Sequence, residues 1–174
     1  LDKKINFDKI DYTKLRYLDL TVSTLNRYKE YTYKDFIYSF IMESSADCGY
    51  ALVYEICDSV EDFSKMMNDK AKEIGMKNSN FNNPVGLDHE NHYSTMSDML
   101  VLMKKALEDE FLKEVMSTFE YKISDDTIIH HTIYGYMNHF DLELPYLKGG
   151  KTGYNDVPGY ALMSYANKND STYI

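Results

Sequence analysis

Through residues 32–116 the apolar side chains recur at intervals of three and four; after residue 118 they alternate along segments rich in β-branched residues. The first spacing lines one face of a helix, the second one face of a strand. A chain that carries helices first and strands later is predicted to fold as α+β, with a helical cluster packed on an antiparallel sheet. At 174 residues and 44% apolar content it is long enough for a single domain with its own core.

Local signals place the elements. Thr32-Tyr33-Lys34-Asp35 has the form of a capping box, and Phe36, Ile37, Phe40 and Ile41 follow on one face of a helix ending near Met42. Glu43 to Tyr50 reads as a turn of small polar residues, and a second, nearly apolar helix carries Ala51, Leu52, Val53, Ile56 and Cys57. Ser59-Val60-Glu61-Asp62 is a second capping box. It starts a helix with Phe63, Met66, Met67, Ala71 and Ile74 on its face and Gly75 in the left-handed position after its end. Asn78, Asn80, Asn82, Asn83, Pro84 and Gly86 make 76–94 a long loop. Thr95 to Asp98 caps a fourth helix through Met99, Leu102, Met103, Ala106 and Leu107, and Phe111–Met116 adds further turns. Phe119–Ile123, Thr127–Ile133 and Tyr160–Ala166 read as strands, the last a central one, and the first thirty residues as loop and short strand.

A formal net charge of -9 leaves no basic stripe to neutralise phosphates, which argues against a nucleic-acid partner. The pairs Lys3-Lys4 and Lys104-Lys105 have acidic neighbours and read as solvated faces. No apolar run approaches the roughly 18 residues of a membrane span. The chain opens without an initiator Met or a signal peptide and stops on an apolar Thr172-Tyr173-Ile174, so both ends are expected to be edges of a larger unit. If Cys48 and Cys57 share a helix, nine residues at about 1.5 Å apiece hold them roughly 13 Å apart, beyond the reach of a disulfide. His130 and His131 are adjacent, so on a strand they face opposite ways. With no Cys-x-x-Cys and no helical His pair, neither a structural metal nor a cofactor is expected. Seventeen tyrosines, with no tryptophan, suit either core edges or a cleft that takes carbohydrate or peptide.

The triplet with the most chemical content is Lys151-Thr152-Gly153, preceded by Gly149-Gly150 and followed, after Tyr154 to Gly159, by the apolar strand. Taken alone, it is an ordinary hairpin with a surface lysine. On a cleft-edge strand, however, the ammonium of Lys151 and the hydroxyl of Thr152 can bind a carboxylate, and Gly153 lets a substrate backbone lie against the strand. The triplet belongs to a signature that also includes Ser-x-x-Lys and a Ser-Asp-Asn element.

Four stretches resemble the low-molecular-weight penicillin-binding proteins, the D-alanyl-D-alanine carboxypeptidases of peptidase family S11. Thr32–Asp47 (TYKDFIYSFIMESSAD) is similar to the segment leading into that family's Ser-x-Asn motif, and Ile74–Asn83 (IGMKNSNFNN) to its Gly-Met/Leu-x-x-Ser/Thr-x-Phe segment. Pro84–Asp98 (PVGLDHENHYSTMSD) resembles its Gly-Leu…His/Tyr-Tyr-Ser-Thr/Ala…Asp segment, and Gly149–Ala166 (GGKTGYNDVPGYALMSYA) its Lys-Thr-Gly strand and the strand after it. Together they cover residues 32–166 in the family's order. The resemblance implies a penicillin-binding, β-lactamase-like transpeptidase fold. It also implies serine acyl transfer, in which a serine attacks the D-Ala-D-Ala amide, a lysine three residues on acts as base, and water releases the acyl-enzyme.

Two departures stand out. No lysine here has a serine three residues before it, so the nucleophile is expected upstream of Leu1. The Ser-x-Asn motif falls, without gaps, on Ser44-Ser45-Ala46: Ser44 matches the proton-relaying serine, while Ala46 replaces the asparagine with a methyl that makes no hydrogen bond. A shift by one gives Ser45-Ala46-Asp47 and breaks the register. Read without the resemblance, Ser44 and Ser45 are N-cap residues of the second helix, and His89, His92 and His139 are loop or surface residues.

The resemblance thus implies an extracytoplasmic bacterial carboxypeptidase acting on peptidoglycan stem peptides and acylated by β-lactams, with any membrane anchoring outside this chain. Ser44 is the catalytic candidate; Lys151, Thr152, Gly153 and the Ala46 position are the substrate-binding candidates. The alternative is an inactive homologue that binds muropeptide or a wall-synthesis partner. A β-lactamase is disfavoured because no glutamate is a candidate for deacylation.

Overall fold

The computed structural model describes residues 1–157 and 159–174. Pro158 lies outside them. The architecture is α+β. A two-stranded ladder pairs β1 (Lys4–Ile5) with β2 (Tyr31–Thr32), and between them runs a helix the sequence did not announce, α1 (Tyr12–Tyr17). Asp11 caps α1 by accepting from the backbone N–H of Thr13 and Lys14, both at 3.0 Å. At six residues, α1 is too short to display a periodic face.

The helical cluster follows. In α2 (Tyr33–Met42) the predicted capping box is present, with Thr32 and Asp35 each accepting from the other's backbone. Asp35 is also a buried hub: its carboxylate accepts from the Thr32 hydroxyl at 2.8 Å, Ser124 Oγ at 2.8 Å and Tyr121 OH at 3.3 Å. These bonds tie the start of α2 to the hairpin of β3 (Glu120–Lys122) and β4 (Ile128–His130). Asp35→Ala is expected to destabilise the protein by about 3 kcal/mol, because buried donors lose a charged acceptor. A shift of the urea midpoint checks this, and an unchanged midpoint contradicts it.

α3 spans Ala46–Ile56, starting five residues before the position read from the apolar run. Its first turn is small and polar, and tertiary bonds stabilise it: Asp47, 1% exposed, accepts from the Ser23 backbone and hydroxyl, each at 2.8 Å. α4 (Val60–Glu73) is capped by Ser59 and ends as expected at Gly75, with φ +93°. There Met76 N–H bonds Ala71 O and Gly75 N–H bonds Lys72 O, the paired bonds of a Schellman motif. α5 (Met96–Leu107) and α6 (Glu110–Ser117) complete the cluster, whose core includes Phe36, Tyr38, Met42 and Val115, all at 1% exposure or less.

The strand expected over Thr127–Ile133 stops at His130. α7 (Thr132–His139) begins there, with the His131 ring accepting from Ile133 N–H as its N-cap. A three-stranded antiparallel sheet closes the chain: β5 (Leu147–Asn155), β6 (Gly159–Lys168) and β7 (Ser171–Tyr173), with β6 central and β5 at an edge. Register pairs Lys151 with Met163 and Thr152 with Leu162, so the two sides of the sheet separate cleanly. Met163 and Tyr165 pack toward the helices against Met103 and Met116. Leu162 and Tyr160, 61% and 80% exposed, lie on the other side, where α7 and residues 140–147 border an apolar groove of about 810 Å³. No helix among the described residues is long and apolar enough to cross a membrane.

Candidate active site

The turn between α2 and α3 is three residues long, and its centre is Ser44. Its backbone is left-handed, φ +61°, a conformation that an L residue adopts only when its surroundings impose it. Here they do so from both sides. Glu43 accepts from Ser39 Oγ at 2.6 Å, Ser45 Oγ is 3.0 Å from Ser39 Oγ, and Ala46 N–H bonds Thr21 O at 2.8 Å. Ser45 occupies the N-cap position of α3 yet makes no side-chain cap, so a plain capping role does not account for either serine. Ser45 is turned inward against Ser39, whereas the Ser44 hydroxyl faces Lys151 of the sheet. Ala46 is 3% exposed and offers no polar side-chain atom there.

Lys151 reaches that hydroxyl from β5. Its Nζ donates to Ser44 Oγ at 2.5 Å and to Thr152 O at 2.6 Å. Among the described residues no carboxylate lies within ion-pair distance of Lys151, unlike the surface lysines at 3, 29, 65, 70 and 105. Burial without a counter-ion lowers its pKa to about 8. The site therefore holds a poorly solvated ammonium with spare hydrogen-bonding capacity, an arrangement suited to an incoming carboxylate.

Thr152 leaves the strand on the opposite face, toward α7, where its hydroxyl lies 2.7 Å from that of Thr132. Gly153 is exposed, and among the described residues a Cβ there would meet only Ala161 Cβ at 3.7 Å, so they leave this part of the edge open. The preceding glycines are closed in. A Cβ on Gly149 would lie 2.0 Å from Met116 O, and one on Gly150, where φ is +155°, 2.2 Å from Met163 O. Gly149-Gly150 thus lets β5 pass against the C-terminal end of α6 and bring Lys151 to Ser44.

Two groups at the site were not singled out in the sequence for it. His131, 1% exposed, lies 3.1 Å from Gly150 O through Nε2, and burial lowers its pKa to about 4. The loop 76–94 is tied to the same strand. Asp98 accepts from Lys77 N–H, Asn78 N–H and Ser79 Oγ at one end of it, and Asn155 Nδ2 donates to Gly86 O at 2.5 Å near its tip. His92 and His89 serve within the loop, their Nδ1 atoms accepting from Asn82 and Asn91 N–H.

Comparison with known proteins identifies the family and the fold. Residues 4–174 match the model of the D-alanyl-D-alanine carboxypeptidase family, peptidase S11. Among curated proteins, D-alanyl-D-alanine carboxypeptidase DacF of Bacillus subtilis is 34% identical over 140 residues, 80% of this chain and 36% of its own length. D-alanyl-D-alanine carboxypeptidase DacA of Haemophilus influenzae is 31% identical over 134 residues, 75% of this chain and 32% of its own length. The chain therefore spans about a third of the length of these relatives. Among solved structures, the Streptomyces K15 DD-transpeptidase superposes with a TM-score of 0.85 at 21% identity, over 99% of this chain and 70% of that one. Penicillin-binding protein D2 of Listeria monocytogenes, in its ampicillin-bound form, superposes with a TM-score of 0.79 at 23% identity, over 98% of this chain and 66% of that one. The fold is that of the penicillin-binding proteins and DD-transpeptidases.

Proposed function

The chain belongs to the peptidase S11 family of D-alanyl-D-alanine carboxypeptidases, and on that premise we propose that it forms the carboxylate-binding and proton-relay half of a serine D-Ala-D-Ala carboxypeptidase that trims peptidoglycan stem peptides. The observation that carries this reading is the Lys151 ammonium, without a counter-ion among the described residues and 2.5 Å from the Ser44 hydroxyl at the edge of β5.

Each residue then has a physical task. Lys151 attracts the free C-terminal carboxylate of the stem peptide, and the Thr152 hydroxyl, directed to the other face, can meet that carboxylate only across the strand edge; a D-Ala terminus supplies one, and so does a penicillin. Gly153 leaves room for the peptide to extend along the strand edge. Because Lys151 donates to Ser44 Oγ, the Ser44 O–H is free to point away from it, toward the amide nitrogen that leaves when the bond breaks. Ser44 can thus pass a proton to the leaving amine and be reprotonated behind it. The nucleophilic serine and its lysine come from the part of the protein outside residues 1–174, because no Ser-x-x-Lys occurs within them. The substrate is part of the cell wall, which places the protein outside the cytoplasmic membrane.

Fluorescent penicillin tests the reading. The full-length protein is expected to form a covalent adduct, and residues 1–174 alone are not. The second-order acylation rate should fall as the ammonium deprotonates above pH about 8, by about tenfold per pH unit. Labelling of residues 1–174 alone, or a rate level to pH 10, would overturn it. Ala46 supports one other reading, an inactive homologue that binds muropeptide through the same cleft, since no polar side chain is available there to hold the substrate amide. A full-length protein that binds muropeptide yet takes no label would establish that reading instead.

A further inference from the structure

We propose that His131 and Thr132, at the N-terminus of α7, are positioning residues that hold β5 in place on either side of Lys151. The geometry is a clamp around that residue. One step before Lys151 the carbonyl of Gly150 faces His131 Nε2 at 3.1 Å, and one step after it the hydroxyl of Thr152 faces that of Thr132 at 2.7 Å. Both contacts come from the N-cap and the first residue of a single helix, and both fall on the stretch that brings the ammonium to Ser44.

The ring of His131 has a defined state. Its Nδ1 accepts from Ile133 N–H at 3.1 Å, so that nitrogen carries no proton. The neutral ring carries its hydrogen on Nε2 and donates it to Gly150 O. Burial and the neighbouring Lys151 charge both oppose a second proton. His131 therefore caps α7 with one nitrogen and holds the strand with the other.

This segment needs external support. β5 is an edge strand, so among the described residues only β6 pairs with it. Gly149 and Gly150 have no side chains with which to lock themselves, and the register shifts between Leu147 and Gly149. The ladder to β6 fixes one side of the backbone at Gly150; His131 fixes the other. A displacement of Lys151 by about 1 Å would open its contact with Ser44, and an error of that size can cost about 10²-fold in rate.

The inference rests on Lys151 serving the carboxylate, and the experiment separates the two. In the full-length protein, the second-order rate of penicillin acylation and the thermal midpoint are measured for His131→Asn, His131→Gln, Thr132→Val, Thr132→Ser and Lys151→Ala. Asparagine keeps the acceptor for Ile133 N–H but is too short for Gly150 O; glutamine can still offer an N–H to that carbonyl. The expected result is acylation lowered about 10²-fold by His131→Asn with little change in midpoint, a clear recovery in His131→Gln, and a loss in Thr132→Val that Thr132→Ser restores. Wild-type rates in His131→Asn and Thr132→Val, alongside a slow Lys151→Ala, overturn the clamp alone. So do losses that simply track the midpoint through all the His131 and Thr132 variants. A wild-type rate in Lys151→Ala overturns the underlying reading and the clamp with it. If His131→Asn fails to fold, the pair Thr132→Val and Thr132→Ser decides.

Discussion

Lys151→Ala in the full-length protein is expected to slow penicillin acylation about 10²- to 10³-fold, the usual cost of losing one preorganised donor from a desolvated site, without lowering the thermal midpoint. The two halves of that result have one cause. Lys151 is buried with no carboxylate beside it among the described residues, and burial brings its pKa down to about 8, below the ordinary lysine value it regains in the unfolded chain. A lysine with a lowered pKa stabilises the fold only at high pH and costs stability as pH falls through the folded value, because the ammonium prefers water. Near neutral pH, then, Lys151 opposes folding while serving the site, and its removal should leave the midpoint unchanged or raised. Lys148→Ala, on the exposed part of the same strand, is the control and should acylate normally. A Lys151→Ala protein that acylates at the wild-type rate, or one that unfolds, would contradict the account.

Gly149→Ala is expected to have the largest effect on stability, about 3 kcal/mol or more, since overpacking against fixed atoms forces the surroundings to move. The added Cβ would sit 2.0 Å from Met116 O and 2.9 Å from Ser117 Cα, and both are backbone atoms of α6 that no rotamer change can clear. β5 would have to separate from α6, and Lys151 would be carried away from Ser44, so acylation should fall with stability. Gly135→Ala supplies the contrast. It lies inside α7, and an added methyl would meet no neighbouring group within 4 Å, so the change should stabilise by up to about 1 kcal/mol through helix propensity alone. Urea midpoints of the two variants that move the same way would show that the glycine environments are misassigned.

These residues also show where the sequence is informative about the structure. Thr32 with Asp35 and the Gly75 stop were legible because capping is local: the partners lie within a few residues and their types are diagnostic. The start of α3 was not, because Ser45 to Cys48 carry no helical pattern and their order comes from Ser23, more than twenty positions away. His131 was hidden by a β-branched run that continues past it, and only the turn of the chain into α7 makes it a cap. The same limit governs the site. Lys151 and Thr152 were recognisable through their glycine context, and Ser44 through the resemblance of its segment, but 107 residues separate Lys151 from Ser44. Nothing in local sequence announces that contact, or that Thr152 would turn toward Thr132.

The central claim is that the edge of β5 at Lys151 and Thr152 receives a free carboxylate beside Ser44. A crystal structure of the full-length protein acylated by a penicillin measures this directly. The account predicts the penicillin carboxylate within hydrogen-bonding distance of Lys151 Nζ or Thr152 Oγ1, with the acyl chain running past Gly153. A carboxylate bound elsewhere, with Lys151 and Ser44 untouched, would contradict it.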